Sequence, residues 1–319
     1  SIAQRARAEA VDPLRQEEIA ARLGARILTP DDAEWPVGLA DLDHPPHCLW
    51  VRGGVDLARV TARSVSIVGA RAASPYGLDV ARTMAYGLSE HGFTVASGGA
   101  FGVDRAAHDG ALASGGCTVA LLACGIDRIY PASHADLFRR VVADGAVVTE
   151  LPPGAAPLRQ RFLSRNRMIA AMTRGTLVVQ AGLRSGSLNT ARWARDLGRV
   201  VGAVPGPVTV PLSAGCHRII RDLEAILVST VDEAVDAFGD LGVDAAIPPR
   251  AEAVDEHWSE ADRVVFGRVP VRAPADADAL VAATGLPVTT VLASLSRLVA
   301  DGVVVRRETG WRKTPVRGG

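Results

Sequence analysis

Lysine is nearly missing from this chain: Lys313 is the only one, and every other basic residue is arginine. No GxxxxGK[ST] segment occurs, which excludes a Walker-type nucleoside triphosphate site. Cysteine is scarce as well. Cys48, Cys117, Cys124 and Cys216 form no CxxC pair, and those in or beside apolar strands read as buried thiols, so neither a metal site nor a structural disulfide is expected. No apolar run reaches the length of a membrane span, and the stretch from Ser1 to Glu18 is charged rather than signal-peptide-like. The expectation is a cytoplasmic protein without membrane contact. A formal net charge of zero excludes coating of nucleic acid by overall charge alone.

What is present is apolar and arginine-rich. At 319 residues and 48% hydrophobic, the chain is long enough for a main domain and one or two small ones. Nearly continuous apolar runs at residues 64–68, 94–97, 118–122, 146–149, 176–180 and 200–204 read as strands buried on both faces. Helical stretches at 78–90, 103–114 and 187–197 supply crossovers between them. The fold class expected is α/β, an extended Rossmann-like, doubly wound, mainly parallel sheet over residues 63–238. A helical N-terminal fragment (1–26) and a Pro-rich lead-in (27–62) precede it, and a linker (239–256) follows. Residues 257–319, with three helical stretches and a hairpin around Glu308-Thr309-Gly310, read as a winged-helix domain. Its candidate recognition helix carries only Arg297, which favours a protein contact. Arg306, Arg307, Arg312 and Lys313 on the wing keep duplex DNA open as the partner.

Ligands of open parallel sheets bind beyond the carboxyl ends of the strands. Glycine-rich segments fall there: Gly69-Ala70-Arg71, Gly98-Gly99-Ala100-Phe101-Gly102, Cys124-Gly125 and Arg184-Ser185-Gly186-Ser187. Glycine lets backbone approach a ligand and leaves helix N-terminal amides free for an anion, although one such turn alone is equally a tight scaffold bend. No GxGxxG follows the first of these strands, so no dinucleotide cofactor is expected, nor any other. Between Leu151 and Val200 nine arginines face one acid, Asp196. Within that patch, Arg161, Arg165 and Arg167 offer permanent charge to phosphate, Ser164 and Asn166 hydrogen bonds, and Phe162 a ring on which an unpaired base can stack. The plainer reading is a solvated cationic face with a buried Phe and Ser164 as helix cap. Arg71, Arg184, Ser185 and Ser187 complete the candidate set from the neighbouring turns, with Gly69, Gly98, Gly99, Gly102 and Gly186 shaping the pocket.

The sequence resembles the DprA/Smf family of bacterial DNA-processing proteins. The resemblance rests on residues 66–71, 97–104, 125–131, 150–154 and 162–167, then Ser185-Gly186-Ser187, Thr190-Ala191-Arg192 and Val204-Pro205-Gly206. It implies a non-enzymatic protein that binds single-stranded DNA in a basic pocket, forms a homodimer and helps load the RecA recombinase in natural transformation. It further implies that Arg71 and the segment from Phe162 to Arg167 contact DNA, and that the loops at Gly69 and Gly98 shape the pocket. Arg184 stands where a Lys is frequent in the family, and His217 where many members carry Asn. The alternative is a phosphoribohydrolase-like nucleotide-processing enzyme on the same sheet. It would need a rim carboxylate, for which Asp104, Asp127 and Glu150 are the candidates.

Overall fold

The computed structural model describes residues 13–240, 244, 258–270, 274–307 and 309–314. The front of the N-terminal fragment (1–12), most of the expected linker, Glu308 in the hairpin and Pro315 lie outside them. Contacts divide the chain into two compact units, residues 1–246 and 247–319.

In chain order the first unit holds α1 (Pro13–Arg22), β1 (Arg26–Leu28), β2 (Leu49–Arg52), α2 (Leu57–Ala62), β3 (Ser64–Val68), α3 (Pro75–Glu90), β4 (Thr94–Gly98), α4 (Val103–Ala113) and β5 (Thr118–Leu121). It continues with α5 (Ala135–Asp144), β6 (Ala146–Thr149), α6 (Arg159–Ala171), β7 (Gly175–Val178), α7 (Ser187–Asp196), β8 (Val200–Ala203), α8 (Ala214–Asp222), β9 (Ile226–Leu227) and α9 (Val231–Phe238). The nine strands form one sheet in the order β1-β2-β6-β5-β4-β3-β7-β8-β9. From β6 to β9 all neighbours run parallel, whereas β1 and β2 add antiparallel at one edge.

Every residue of β3, β4, β5 and β7 is buried, as strands covered on both faces require. One core holds Val65, Ile67 and Val95 with Met84 and Leu88 of α3, Ala107 of α4 and Phe238 of α9. The opposite core holds Val68, Val119 and Val148 with Met168 and Ile169 of α6 and Leu188 of α7. Helices therefore cover both faces, the doubly wound arrangement expected. The Pro-rich lead-in does more than approach the sheet: it supplies β1 and β2, and Leu49 and Val51 enter the core. Asp244, inside the expected linker, is held by Arg63 through two hydrogen bonds of 2.8 Å.

The chain moves outward from β3 through β4 and β5 to β6, then returns to the other side of β3 with β7 and β8. The strand order thus reverses between β3 and β7, and their carboxyl ends are where a crevice is expected.

The second unit contains α10 (Glu260–Arg268), α11 (Ala277–Thr284), α12 (Val288–Ala300) and the antiparallel hairpin β10 (Val304–Arg307) and β11 (Gly310–Lys313). Its own core gathers Trp258, Val265, Leu280, Val291, Leu295, Leu298 and Val304. Ser259 and Asp262 form a capping box that starts α10, satisfying its first amides.

Candidate nucleic-acid interface

A cleft of about 710 Å³ opens at the reversal between β3 and β7. One wall is the turn after β3, Gly69-Ala70-Arg71, and the opposite wall is the turn after β7, with Gly182 and residues 184–187. The Ala70 amide donates to the Gln180 carbonyl at 2.6 Å, and the Gln180 side chain exchanges hydrogen bonds of 2.9 Å with the Ser74 amide and hydroxyl. The two turns are therefore pinned to each other. Helix α7 begins at the cleft after Gly186, which gives no side-chain cap; its first amides turn back on the loop, Ser187 N–H to the Ser185 hydroxyl at 3.4 Å and Leu188 N–H to the Ser185 carbonyl at 3.3 Å, while its positive dipole end lies at the cleft. The Ser185 and Ser187 hydroxyls lie 2.7 Å apart beside them.

The third wall is α6, which contributes Arg159, Phe162, Leu163, Arg165, Asn166 and Ile169. Positions 159, 162, 163, 166 and 169 follow the helical repeat that puts one face toward the cleft. The Arg71 guanidinium carbon lies 4.7 Å from the Phe162 ring centroid, and Tyr130 meets the same ring edge to face at 5.7 Å. The Asn166 amide donates to the Gly186 carbonyl at 3.2 Å, fixing α6 against the β7 turn.

Arg165 is the deepest cation, 5% exposed. Its Nη1 donates to the Leu121 carbonyl, while Nε has no partner. It shares the floor with Asp104, whose carboxylate also accepts from the Ala100 amide at 3.3 Å. Burial raises the Asp104 pKa and lowers that of Arg165, and in each case the other's charge opposes the shift. Gly98 makes room for both groups: a Cβ there would come within 2.4 Å of Arg165 Nη1 and 2.5 Å of Asp104 Oδ2. Behind it, His108 Nε2 donates to the Gly98 carbonyl at 2.8 Å, and burial pushes this imidazole down to about 4.

The sequence-expected residues divide by placement. Arg71, Phe162, Arg165, Asn166, Arg184, Ser185, Ser187, Gly69 and Gly186 line the cleft. Arg161, Ser164, Arg167, Gly98, Gly99 and Gly102 are not part of that lining. Arg161 donates to the Ala156 carbonyl, and Arg167 forms a half-buried ion pair with Glu150. Ser164 sits mid-helix with its hydroxyl on the Arg161 carbonyl at 3.2 Å, so it caps nothing; Leu158 occupies the N-cap. Gly99 and Gly102 serve close packing. A Cβ on Gly99 would strike the Phe138 ring, and Gly102, at φ +77°, lies against the Ala70 carbonyl. Arg159, Tyr130 and Thr190 line the cleft without having been chosen. Arg159 belonged to the arginine run and Tyr130 to the motif at residues 125–131, so both were visible.

The carboxylates of the hydrolase alternative also separate. Asp104 lines the cleft, Asp127 accepts from the Gly154 amide at 2.8 Å, and Glu150 is taken by Arg167. The cleft thus sets Arg71, Arg159, Arg165 and Arg184 around one buried acid, with an aromatic ring among them: donors for phosphate and a face for a base.

Comparison with known proteins settles the family. A family model described as DNA recombination-mediator protein A matches residues 26–239. The chain belongs to this family. Among its relatives, a DNA processing protein DprA of Mycobacterium tuberculosis is 45% identical over 306 residues, 92% of this chain and 78% of that protein. Protein Smf of Escherichia coli is 41% identical over 212 residues, covering 66% and 56%. Of the solved structures, DNA processing protein A from Streptococcus pneumoniae superposes with a TM-score of 0.67 at 33% identity, over 72% of this chain and 79% of that one. DNA processing protein A from Helicobacter pylori, known for a unique single-stranded DNA binding mode, gives 0.60 at 27% identity, over 66% and 95%. The DprA/Smf resemblance read from the sequence is therefore correct, and the α/β sheet is that of the family.

Proposed function

We propose that the cleft binds single-stranded DNA without chemistry, as a cytoplasmic recombination mediator that protects incoming strands and hands them to RecA. The observation that carries this reading is the cation and ring pair at the mouth: Arg71 over Phe162, with Tyr130 against the same ring. A phosphate beside Arg71 and a base against this aromatic group fit a single strand, whereas paired bases are stacked inside a duplex and out of reach. Arg165 and Arg184 hold further phosphates, with Asn166, Ser185 and Ser187 as hydrogen-bond partners. Arg161 contributes to the field at the rim rather than to contacts in the cleft, and Arg167 is neutralised by Glu150. Homodimerisation is part of the proposal, since one cleft engages only a short stretch and linked clefts raise the effective concentration for one strand. Residues 257–319 are read as a winged-helix domain.

The hydrolase alternative keeps one supporting observation, the presence of Asp104 in the cleft with its pKa raised by burial. It lacks a second free carboxylate in the lining. Two assays decide between the readings. Fluorescence anisotropy with labelled oligonucleotides of increasing length should show tight, salt-sensitive single-strand binding, and incubation with nucleoside monophosphates should release no free base. Base release without single-strand binding would reverse the assignment.

A further inference from the structure

The second unit carries a charge pattern that the cleft does not use. Its hairpin holds four cations, Arg306, Arg307, Arg312 and Lys313, and none has an acidic partner among the described residues. Residues directly opposite in an antiparallel pair share a face. The register sets Val305 against Arg312 and Arg307 against Gly310, so Arg307 and Arg312 project together from one face. On the other, the Arg306 guanidinium carbon lies 5.3 Å from the Trp311 ring centroid and Lys313 Nζ 4.4 Å from that of Phe266.

Helix α12, the one expected to enter a groove, is differently furnished. Its exposed positions include Thr289, Leu292, Ala293 and Ser296, and its one cation, Arg297, is spent on Asp262 at 2.7 Å. Asp262 is 1% exposed, so withdrawing Arg297 to a phosphate or base edge would strand a buried carboxylate.

We propose that the hairpin, and not α12, is a second nucleic-acid site that grips the phosphate backbone of a duplex without reading its sequence. Three features of the hairpin select this partner. A single strand asks for several open aromatic faces, and the hairpin's one aromatic, Trp311, packs half-buried against the core of its unit. A protein partner asks for apolar anchors in the middle of the contact, and Val304 is buried while Val305 is half-buried. A membrane surface asks for apolar side chains to insert, and the described hairpin residues expose none. An excess of positive charge without anchors, four cations to the one acid Glu308 in the hairpin sequence, is the composition of a backbone contact, whose affinity comes from counterion release.

The test uses the full chain and labelled duplex and single-stranded oligonucleotides at several salt concentrations. Replacing all four cations by glutamine should weaken duplex binding by roughly tenfold or more and flatten the slope of log K against log salt by about 0.9 for each phosphate the hairpin no longer holds. Single-strand affinity should stay at the wild-type level. Because Arg306 and Lys313 lie over rings, a second variant, Arg307→Glu with Arg312→Glu, changes only the other face and should lose duplex binding while keeping the fold. The proposal is overturned if wild-type protein does not bind duplex at low salt. It is equally overturned if both variants retain wild-type duplex affinity and slope, or if single-strand and duplex binding fall together. Failure of the cleft reading would appear separately, as loss of single-strand binding from wild type with duplex binding intact.

Discussion

The guanidinium of Arg71 and the ring of Phe162 face each other across the mouth of the cleft, 4.7 Å from group to centroid, although they stand on different elements of the fold. Arg71 follows β3 and Phe162 belongs to α6. The pair unites the two interactions a single strand offers, charge on phosphate and a flat face on a base.

Phe162→Ala should remove the stacking face and leave the charge. Single-strand affinity is expected to fall by about 1–3 kcal/mol, the scale of a base stacked on an aromatic ring, with the salt slope unchanged. Anisotropy titrations at two salt concentrations check this. An unaltered affinity would mean that no base rests on the ring.

Arg184 and Arg167 should behave in opposite ways. Arg184 is exposed in the cleft lining, so Arg184→Ala should flatten the salt slope by about 0.7 without changing the melting temperature. Arg167 holds Glu150, a carboxyl whose pKa burial raises and Arg167 lowers. Arg167→Ala should therefore cost about 1–3 kcal/mol of stability, a range reduced for the pair's partial exposure, and leave the slope alone. Thermal unfolding alongside binding distinguishes the two.

Gly98→Ala and Gly186→Ala form a matched contrast. A Cβ at Gly98 would displace the Arg165 guanidinium or the Asp104 carboxylate from the floor, whereas a Cβ at Gly186 meets open space. The first substitution should weaken single-strand binding and lower the melting temperature, and the second should leave both as in wild type. Equal behaviour of the two variants would refute the role given to Gly98.

His108 sets an acid-sensitive limit on stability. Its folded-state pKa, about 4, lies below the ordinary 6.5, so as pH falls the unfolded chain takes up this proton first. The contribution is complete above about pH 6.5, declines between there and about pH 4, and amounts to about 3 kcal/mol once lost. Denaturant titrations across that window should show a shallower decline for His108→Gln than for wild type. Parallel declines would contradict the assignment.

Much of this was readable from the sequence for a physical reason. Strands such as β3 and β7 are buried on both faces, so their sequences are nearly continuous apolar runs, with Gly69 directly after β3 and Gly182 shortly after β7. The edge strands β1 and β2 escaped because they are three and four residues long in a Pro-rich stretch and their pairing is nonlocal. At the site, the arginine run marked the right helix but carried no phase. Arg161 and Arg167 read as equivalent to Arg165, and only contacts with distant parts of the chain separate Arg165, drawn to the Leu121 carbonyl on the cleft floor, from those that turn to Ala156 and Glu150. That Arg165 lies buried on the floor of the cleft rather than exposed at its rim depends on the absent side chain of Gly98, 67 positions away in the chain but adjacent in space.

In the function proposed above, the cleft at the reversal between β3 and β7 holds a single strand through its arginines. Arg71 and Arg184 are both exposed in its lining, so the most direct measurement is the salt dependence of single-strand binding for the variant with Arg71→Gln and Arg184→Gln. Binding should weaken and the slope flatten by about 1.4, two phosphates at about 0.7 each. Wild-type affinity and an unchanged slope would contradict it.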